Sequence, residues 1–391
     1  MKQILHLMIA IFTLSIFVHP AKAEGKEERD KKLLLASDAA LIMDAKTGQI
    51  LYEKNGHTSM YPASITKIAT AIYAIEHGDL DEEVTVSKNA RNAEGTKVFL
   101  EEGERVSLER LIQGMLINSG NDAAVAIAEH LSGSVSEFSE DLNQYMQTEI
   151  GVTQTHFVNP NGLFDPQHQT TAADMAKITQ YAKKNEEFSR IFGTKALKWE
   201  GKSWNTTIFT HHKMLKQQPY NGVTGGKNGF VSQAGYTLVT SAERNGLSLI
   251  AVTLKSRDDQ GTYDDTKKLL DYGFTHFETE NIAPTASLKN EQQEPLQLTH
   301  PLFYTKYDGE KVTTQISKSN QLIVKGEDGR NLAEAPLESA VPEGQGISPS
   351  IEHAHSGKNS FFHAHFLLAV VMASLLVIGV GGVLYYQTRR Y

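Results

Sequence analysis

The sequence contains no cysteine among its 391 residues. This absence excludes thiol catalysis, iron–sulfur clusters and cysteine-ligated zinc sites, and it fits an exported protein that does not depend on disulfides. Basic residues are outnumbered, with 38 Lys and Arg against 46 Asp and Glu, so the formal net charge is −8. A surface without a basic excess argues against a nucleic-acid partner. The content of 40% hydrophobic and 21% charged residues is that of an ordinary globular protein.

The first residues carry the pattern of an export signal. Lys2 precedes an apolar run over residues 4–18, and the small residues of Ala21-Lys22-Ala23 follow it. We predict a signal peptide over residues 1–23 that is cleaved after Ala23. A retained N-terminal anchor is the alternative, although the run is short for a membrane span.

The last segment predicts a membrane span. The uncharged run FLLAVVMASLLVIGVGGVLY begins at Phe366, and a helix of about 20 residues extends about 30 Å, the thickness of a bilayer core. Arg389 and Arg390 follow it, and positive residues remain on the cytoplasmic side. We therefore predict one transmembrane helix at 366–386 and a cytoplasmic tail at 387–391, with the bulk of this single-pass protein outside the cytoplasmic membrane. A buried core helix is the alternative.

Between these ends, two hairpins enclose a helical middle. The stretch AALIMDAKTGQILYEKN, residues 39–55, predicts two strands around a turn at Lys46-Thr47-Gly48. The stretch GYTLVTSAERNGLSLIAVTLKS, residues 235–256, predicts two more strands around Asn245-Gly246. Strands at both ends of a helical region indicate an α/β (α+β) fold with an antiparallel sheet flanked by helices.

The pattern of apolar residues in the sequence changes after about Thr279. Short β-type runs and Asp-Gly turns predict a small all-β C-terminal domain at 280–335. Residues 336–365 contain Pro, Gly and Ser without periodicity and predict a stalk. Paired imidazoles there could bind zinc or copper, but their spacing favours a solvated linker. These histidines are His353, His355, His363 and His365.

The stretch YPASITKIAT, residues 61–70, places a hydroxyl three residues before a lysine. Apolar residues repeat at helical spacing after Pro62, so Ser64 falls in the first turn of a helix. Residues three apart share one helix face, so Ser64 Oγ and the Lys67 amine can meet. This predicts a nucleophile beside a base, although a lone Ser-x-x-Lys often arises by chance.

Two further elements strengthen that interpretation. Ser119-Gly120-Asn121 lies at a break between two apolar-faced helices, where small polar residues can line a cleft. Lys227-Asn228-Gly229 precedes a strand-rich stretch and can present a lysine from a sheet edge. In order and spacing the three elements resemble the S-x-x-K, S-D-N and K-T-G signature of penicillin-recognising serine enzymes.

The surrounding residues are similar to those of the low-molecular-mass penicillin-binding proteins, the serine-type D-alanyl-D-alanine carboxypeptidases. The likeness spans roughly residues 39–277 and includes LINSGNDAAVAIAEHLSGS, THFVNPNGL, TTAADMA and GGKNGFVSQAGYTLVTSA. It implies a penicillin-binding peptidase domain at 24–279 with the serine-transpeptidase/β-lactamase-like fold. It also implies peptidoglycan stem peptides and β-lactam antibiotics as ligands, and no cofactor.

The resemblance also implies catalytic roles. Ser64 would attack the penultimate D-alanine carbonyl, and Lys67 would take its proton. Ser119 would relay a proton to the leaving amine, while Asn121 would hold Lys67 and the substrate amide.

Substrate binding is assigned by the same likeness. Lys227 would attract the terminal carboxylate of the substrate, and Gly229 completes its motif. The backbone amides of Ser64 and Phe230 would stabilise the oxyanion. Asn228 departs from the family, which usually has Thr there, so an amide N–H would replace a hydroxyl. Lys46-Thr47-Gly48 has the residues that the family usually has in this motif. It precedes the nucleophile in the chain and lies in a hairpin turn, so we interpret it as a turn.

Two rival functions remain open at this point. A β-lactamase would need a deacylating base such as a Glu, and Glu140 is expected at a core-facing position with the wrong spacing. A catalytically weak peptidoglycan-binding or scaffold homologue would keep the fold while Asn228 weakens turnover.

Other conspicuous residues favour structural interpretations. His211-His212 is expected in a surface loop, with a role near the cleft as the alternative. His168 is expected in the framework of the fold. Asn159 and Gly162 are expected to shape a turn.

Overall fold

The computed structural model describes residues 33–340. Its strands, in chain order, are β1 (Ala39–Asp44), β2 (Ile50–Lys54), β3 (Glu83–Thr85), β4 (Arg105–Ser107), β5 (Ala196–Glu200), β6 (Asn205–Phe209), β7 (Val223–Val231), β8 (Gly235–Arg244), β9 (Leu247–Ser256), β10 (Phe277–Ile282), β11 (Thr285–Lys289), β12 (Pro295–Leu298), β13 (Leu302–Tyr307), β14 (Thr313–Ile316), β15 (Gln321–Lys325), β16 (Asn331–Pro336) and β17 (Glu338–Ser339). Its α-helices are α1 (Lys67–His77), α2 (Lys88–Asn92), α3 (Leu108–Ile117), α4 (Asn121–Ser132), α5 (Val135–Tyr145), α6 (Ala172–Lys183), α7 (Glu186–Phe192) and α8 (Asp259–His276).

The central sheet is antiparallel, with the strand order β2-β1-β9-β8-β7. Every residue of β1 is buried because both faces of the sheet are covered. Leu41 and Met43 enter a core shared with the helices that precede β5. Ala40 and Ile42, which alternate with them, enter a second core under α8. The predicted antiparallel sheet flanked by helices is confirmed.

Helix starts follow local capping chemistry. Ser107 accepts from the Arg110 amide at the start of α3, and Thr171 accepts from the Asp174 amide at the start of α6. The Asp174 carboxylate does not return to the Thr171 amide as in a capping box, since it accepts from Thr155 Oγ1 and the Gln154 amide. α4 begins directly after Gly120 without a side-chain cap.

The turn at Lys46-Thr47-Gly48 faces the C-terminal strands. The Lys46 ammonium lies 3.7 Å from the centroid of the Phe303 ring, and Thr47 Oγ1 lies 2.6 Å from Thr305 Oγ1. The buried carboxylate of Asp44 also accepts from Thr305, at 2.7 Å. This tripeptide therefore joins the two parts of the chain, and it keeps the predicted turn conformation.

The C-terminal region is all-β. It contains the sheets β10-β13, β11-β12-β17 and β14-β15-β16, and Leu296, Leu298, Leu322 and Leu337 form its main core. β10 crosses the predicted boundary at 279/280, β16 crosses the one at 335/336, and β17 lies beyond it. The exact domain limits remain predictions.

Within residues 33–340, no helix has both the length and the apolar character needed to cross a membrane. The predicted signal peptide, transmembrane helix, tail and stalk histidines lie outside the described residues, apart from the first residues of the stalk.

Candidate active site

The serine turn, which we define as residues 62–66, lies against the edge of the central sheet. Ser64 belongs to a 3-10 turn, Ala63–Thr66, that runs directly into α1. Thr237 of β8 fixes this turn, because its Oγ1 donates to the Pro62 carbonyl at 2.8 Å. On β7, a Cβ at Gly229 would lie 2.6 Å from the Ser64 amide nitrogen, so only glycine permits this approach.

Lys67 is fully buried behind Ser64. Its Nζ lies 3.1 Å from Ser64 Oγ, 2.7 Å from Asn121 Oδ1 and 2.6 Å from the Asn161 carbonyl oxygen. Burial lowers the Lys67 pKa well below its ordinary value, the positive charge of Lys227 lowers it further, and Asp122 opposes this shift.

These contacts show how a neutral Lys67 would be oriented. Asn121 Nδ2 donates to the Glu94 carbonyl at 2.6 Å, so Oδ1 must face Lys67. Asn121 Oδ1 and the Asn161 carbonyl can only accept, so they take two N–H groups from Lys67. A neutral amine has only two, and its lone pair then faces Ser64 Oγ. Lys67 is therefore placed to accept the Ser64 proton.

Ser119 lies between α3 and α4, and Asn121 is the first residue of α4. Ser119 is buried and has a φ of 62°, a left-handed conformation that is uncommon outside glycine. Asp122, at the start of α4, accepts from the amides of Val98 and Leu100 and fixes the neighbouring loop. Burial raises the Asp122 pKa. The break predicted from Ser-Gly-Asn therefore holds a serine with a strained backbone two residues before Asn121, which contacts Lys67.

Lys227 lies on β7, the edge strand of the sheet, and is 2% exposed. Its Nζ donates to the Asn228 carbonyl at 2.7 Å, and burial lowers its pKa to about 7. Lys67 and Lys227 thus both form hydrogen bonds with neutral oxygens. A carboxylate on a ligand would supply the complementary charge.

The remaining motif residues line the same strand. Asn228 is half-buried, and Phe230 is 52% exposed with its ring centroid 4.5 Å from that of Tyr236. The Phe230 amide is one peptide unit from Gly229, which touches Ser64. The amides of Ser64 and Phe230 as the two donors of an oxyanion site remain a prediction.

The family model for D-alanyl-D-alanine carboxypeptidases (peptidase family S11) matches residues 26–258. The chain belongs to this family. It is a serine-type carboxypeptidase, a peptide hydrolase, and the predicted resemblance is confirmed.

Relatives of this carboxypeptidase include D-alanyl-D-alanine carboxypeptidase DacF of Bacillus subtilis, 29% identical over 86% of this chain and 93% of that protein. DacA of Haemophilus influenzae is 36% identical, with 63% of each chain covered. Penicillin-binding protein 5 from Haemophilus influenzae has a TM-score of 0.70 at 28% identity, over 79% of this chain and 98% of that one.

Two structural expectations for this carboxypeptidase were wrong. His212 is not in a surface loop but 1% exposed, with Nε2 2.8 Å from Thr240 Oγ1. It fills space beneath Gly226, where a Cβ would lie 2.2 Å from the ring. Its neighbour His211 is exposed, and Glu140 is exposed on α5, not core-facing. The helical spacing of the buried Phe138 and Leu142 places Glu140 on the other face of α5, whereas His212 is buried by residues distant in sequence.

Sequence reasoning missed three positioning groups in this carboxypeptidase. Thr237 and Asp122 fix backbone segments beside the site, and the main-chain carbonyl of Asn161 orients Lys67. The signal at Asn161 was the following Gly162, whose φ of 87° marks a special backbone conformation. A carbonyl contact leaves no side-chain signature, so it could not be identified from residue type.

Proposed function

We propose that this enzyme removes the terminal D-alanine from peptidoglycan stem peptides through an acyl-enzyme on Ser64. The observation that carries the proposal is the Lys67 amine, held by Asn121 and Asn161 so that its remaining position faces Ser64 Oγ. Burial and the nearby charge of Lys227 favour the neutral amine that a general base requires.

In the acylation step, the Ser64 proton moves to Lys67 as Oγ bonds to the carbonyl carbon of the penultimate D-alanine. The amides of Ser64 and Phe230 donate to the resulting oxyanion. Collapse breaks the peptide bond, and the leaving amine of D-alanine takes a proton from Lys67 through Ser119. Water then attacks the ester with Lys67 as base, which releases the shortened peptide and restores Ser64.

Recognition of a peptide end depends on Lys227. A buried ammonium group with a carbonyl as its hydrogen-bond partner attracts the terminal carboxylate of the substrate. Asn228 supplies an amide N–H where the family usually has a hydroxyl. An internal peptide bond would present no carboxylate and would bind poorly.

β-Lactam antibiotics would acylate Ser64 by the same route, and hydrolysis of the resulting acyl-enzyme would be slow. Lys67 hydrogen-bonds to a hydroxyl, an amide oxygen and a main-chain carbonyl, so no carboxylate is among its partners to assist it in activating water against the penicilloyl ester. A long-lived adduct therefore favours a carboxypeptidase over a β-lactamase.

For location, we propose a catalytic domain outside the cytoplasmic membrane, held by the stalk and by one helix at 366–386. The export pattern at 1–23 and the apolar run followed by Arg389 and Arg390 support this topology. Protease shaving of intact cells should release the catalytic domain, whereas protection until lysis would contradict it.

The decisive experiment combines two assays on purified wild type and Ser64→Ala. Wild type should release D-alanine from a peptide that ends in D-alanyl-D-alanine, and a fluorescent penicillin should map to Ser64. Ser64→Ala should do neither. Binding of the peptide without release by wild type would favour the scaffold alternative, and label retained in Ser64→Ala would assign the nucleophile to another residue.

A further inference from the structure

One segment of this carboxypeptidase, residues 158–168, holds the serine turn and the first turn of α1. Besides the Asn161 carbonyl on Lys67, the Pro160 carbonyl accepts from Thr70 Oγ1 at 2.7 Å. His168, at the end of the segment, adds a buried polar contact that has no part in the proposed reaction steps.

The segment comes unusually close to the residue before Ser64. Gly162 has a φ of 87°, and a Cβ there would lie 1.9 Å from the Ala63 carbonyl oxygen and 2.9 Å from the Ser64 amide nitrogen. No side chain fits between the two backbones. The position of the 158–168 segment and the position of Ser64 are therefore coupled.

The hydrogen bonds of His168 have a fixed direction. Its Nδ1 accepts from the Val158 amide at 3.0 Å, and because an amide N–H can only donate, Nδ1 carries no proton. Nε2 then carries the ring proton and donates to Thr66 Oγ1 at 2.8 Å. Thr66 passes its own hydrogen to the Ala63 carbonyl at 2.8 Å. Burial lowers the His168 pKa to about 3, which keeps the ring neutral.

The end of this chain of bonds is a strained residue. Ala63 has a φ of 52°, a left-handed conformation that is unfavourable for a residue with a Cβ. Such a conformation persists only where the surroundings hold it. At this turn, the bond from Thr66 and the contact with Gly162 both act on the Ala63 carbonyl.

We propose that His168 is a positioning residue for catalysis: through Thr66 it fixes the Ala63 carbonyl and, with it, the amide and hydroxyl of Ser64. The inference rests on the proposed role of Ser64 as the acylated residue. Displacement of a reacting group by about 1 Å can cost roughly a hundredfold in rate, so a small relaxation of this turn is sufficient to matter.

Two substitutions of His168 each preserve only one of the two hydrogen bonds that the imidazole ring makes. In His168→Gln the side-chain amide can reach the Nε2 position and keep the bond to Thr66. In His168→Asn the amide oxygen can replace Nδ1 and keep only the bond to Val158. We expect His168→Gln to be acylated by penicillin within about threefold of wild type, and His168→Asn to be at least tenfold slower, with KM for the peptide nearly unchanged.

Rates are taken per titratable active site, and Tm is measured for each variant. Equal rates for the two variants would overturn the proposal, because a purely structural histidine would affect both through stability alone. Penicilloyl mapping in wild type tests the role of Ser64 separately, so failure of the proposed function is visible before any variant is compared.

A second pair avoids the histidine altogether. Thr66 and Thr266 are both fully buried, and each donates from Oγ1 to a backbone carbonyl at 2.8 Å, but Thr266 lies on α8. Thr66→Val should slow acylation at least tenfold, and Thr266→Val should leave it unchanged at a similar loss of Tm. Equal acylation rates in the two folded variants would contradict the proposal.

Discussion

Three tripeptides of the form Lys-x-Gly occur in this carboxypeptidase, and two of them, residues 46–48 and 227–229, lie in opposite surroundings. Lys46-Thr47-Gly48 forms a turn in which Lys46 is exposed and rests on Phe303 of the C-terminal region. Lys227-Asn228-Gly229 lies on the edge strand β7, where Lys227 is 2% exposed and Gly229 touches the Ser64 amide. The tripeptide with the Lys-Thr-Gly sequence typical of the family has a structural role. The tripeptide with Asn in the middle lies at the candidate active site.

The difference shows that the burial and the neighbours of a lysine determine its reactivity more than the sequence of the motif that contains it. The exposed Lys46 ammonium stays hydrated, whereas desolvation lowers the pKa of the buried Lys227 to about 7. Substitutions in one tripeptide, set against substitutions in the other, can break or sharpen this contrast.

The largest effect should come from removing the lysines. Lys227→Ala should lower kcat/KM for a peptide ending in D-alanyl-D-alanine roughly a hundredfold, about 3 kcal/mol, since the terminal carboxylate loses its buried partner. Lys46→Ala should retain wild-type activity. The assay is D-alanine release, and comparable losses in the two variants would remove the distinction between them.

The pH profile should report the perturbed lysines. As pH rises above about 7, the free enzyme loses the Lys227 charge, so kcat/KM should fall on the alkaline side. As pH falls, protonation of Lys67 removes the base, so kcat/KM should fall on the acid side as well. Lys227→Arg should move the alkaline limb upward, because a guanidinium stays charged. An alkaline limb at an unchanged pH in that variant would show that Lys227 does not produce it.

The middle residue of the site tripeptide should have a smaller effect. Asn228→Thr restores the usual family residue and exchanges an amide N–H for a hydroxyl, and both can donate to a carboxylate. We expect kcat/KM to change by less than about tenfold, in steady-state assays of D-alanine release. A complete loss of activity would mean that the amide has a specific role in this enzyme.

The smallest effect on activity is expected for substitutions in Lys46-Thr47-Gly48. Thr47→Ala removes the contact with Thr305 and should lower the free energy of unfolding by about 1 kcal/mol. Chemical denaturation measures this loss, and activity should be unchanged. A fall in activity without a fall in stability would link the C-terminal region to catalysis.

Much of the framework could be predicted from sequence, because its signals are local. The Asn245-Gly246 turn has φ values of 50° and 83°, which two-residue hairpins need and which Asn and Gly tolerate. The breaks before Ser64 and at Ser119 likewise follow from local apolar spacing.

Other features arise only in three dimensions. The left-handed Ala63 is set by the 158–168 segment, and the burial of His212 is set by Gly226 on β7. Neither feature can be predicted from the residue type, since alanine usually avoids positive φ and adjacent histidines usually lie at the surface. The orientation of Lys67 depends on a main-chain carbonyl, which every residue possesses.

The most direct test of Lys67 as the base is an NMR titration of this residue in the resting enzyme, with lysine carbons labelled and the signal assigned by comparison with Lys67→Ala. We predict that Lys67 loses its proton well below the ordinary lysine range, so that a neutral amine faces Ser64 at pH values where exposed lysines are still charged. A Lys67 signal that stays protonated up to the pH at which exposed lysines titrate would contradict its role as the base.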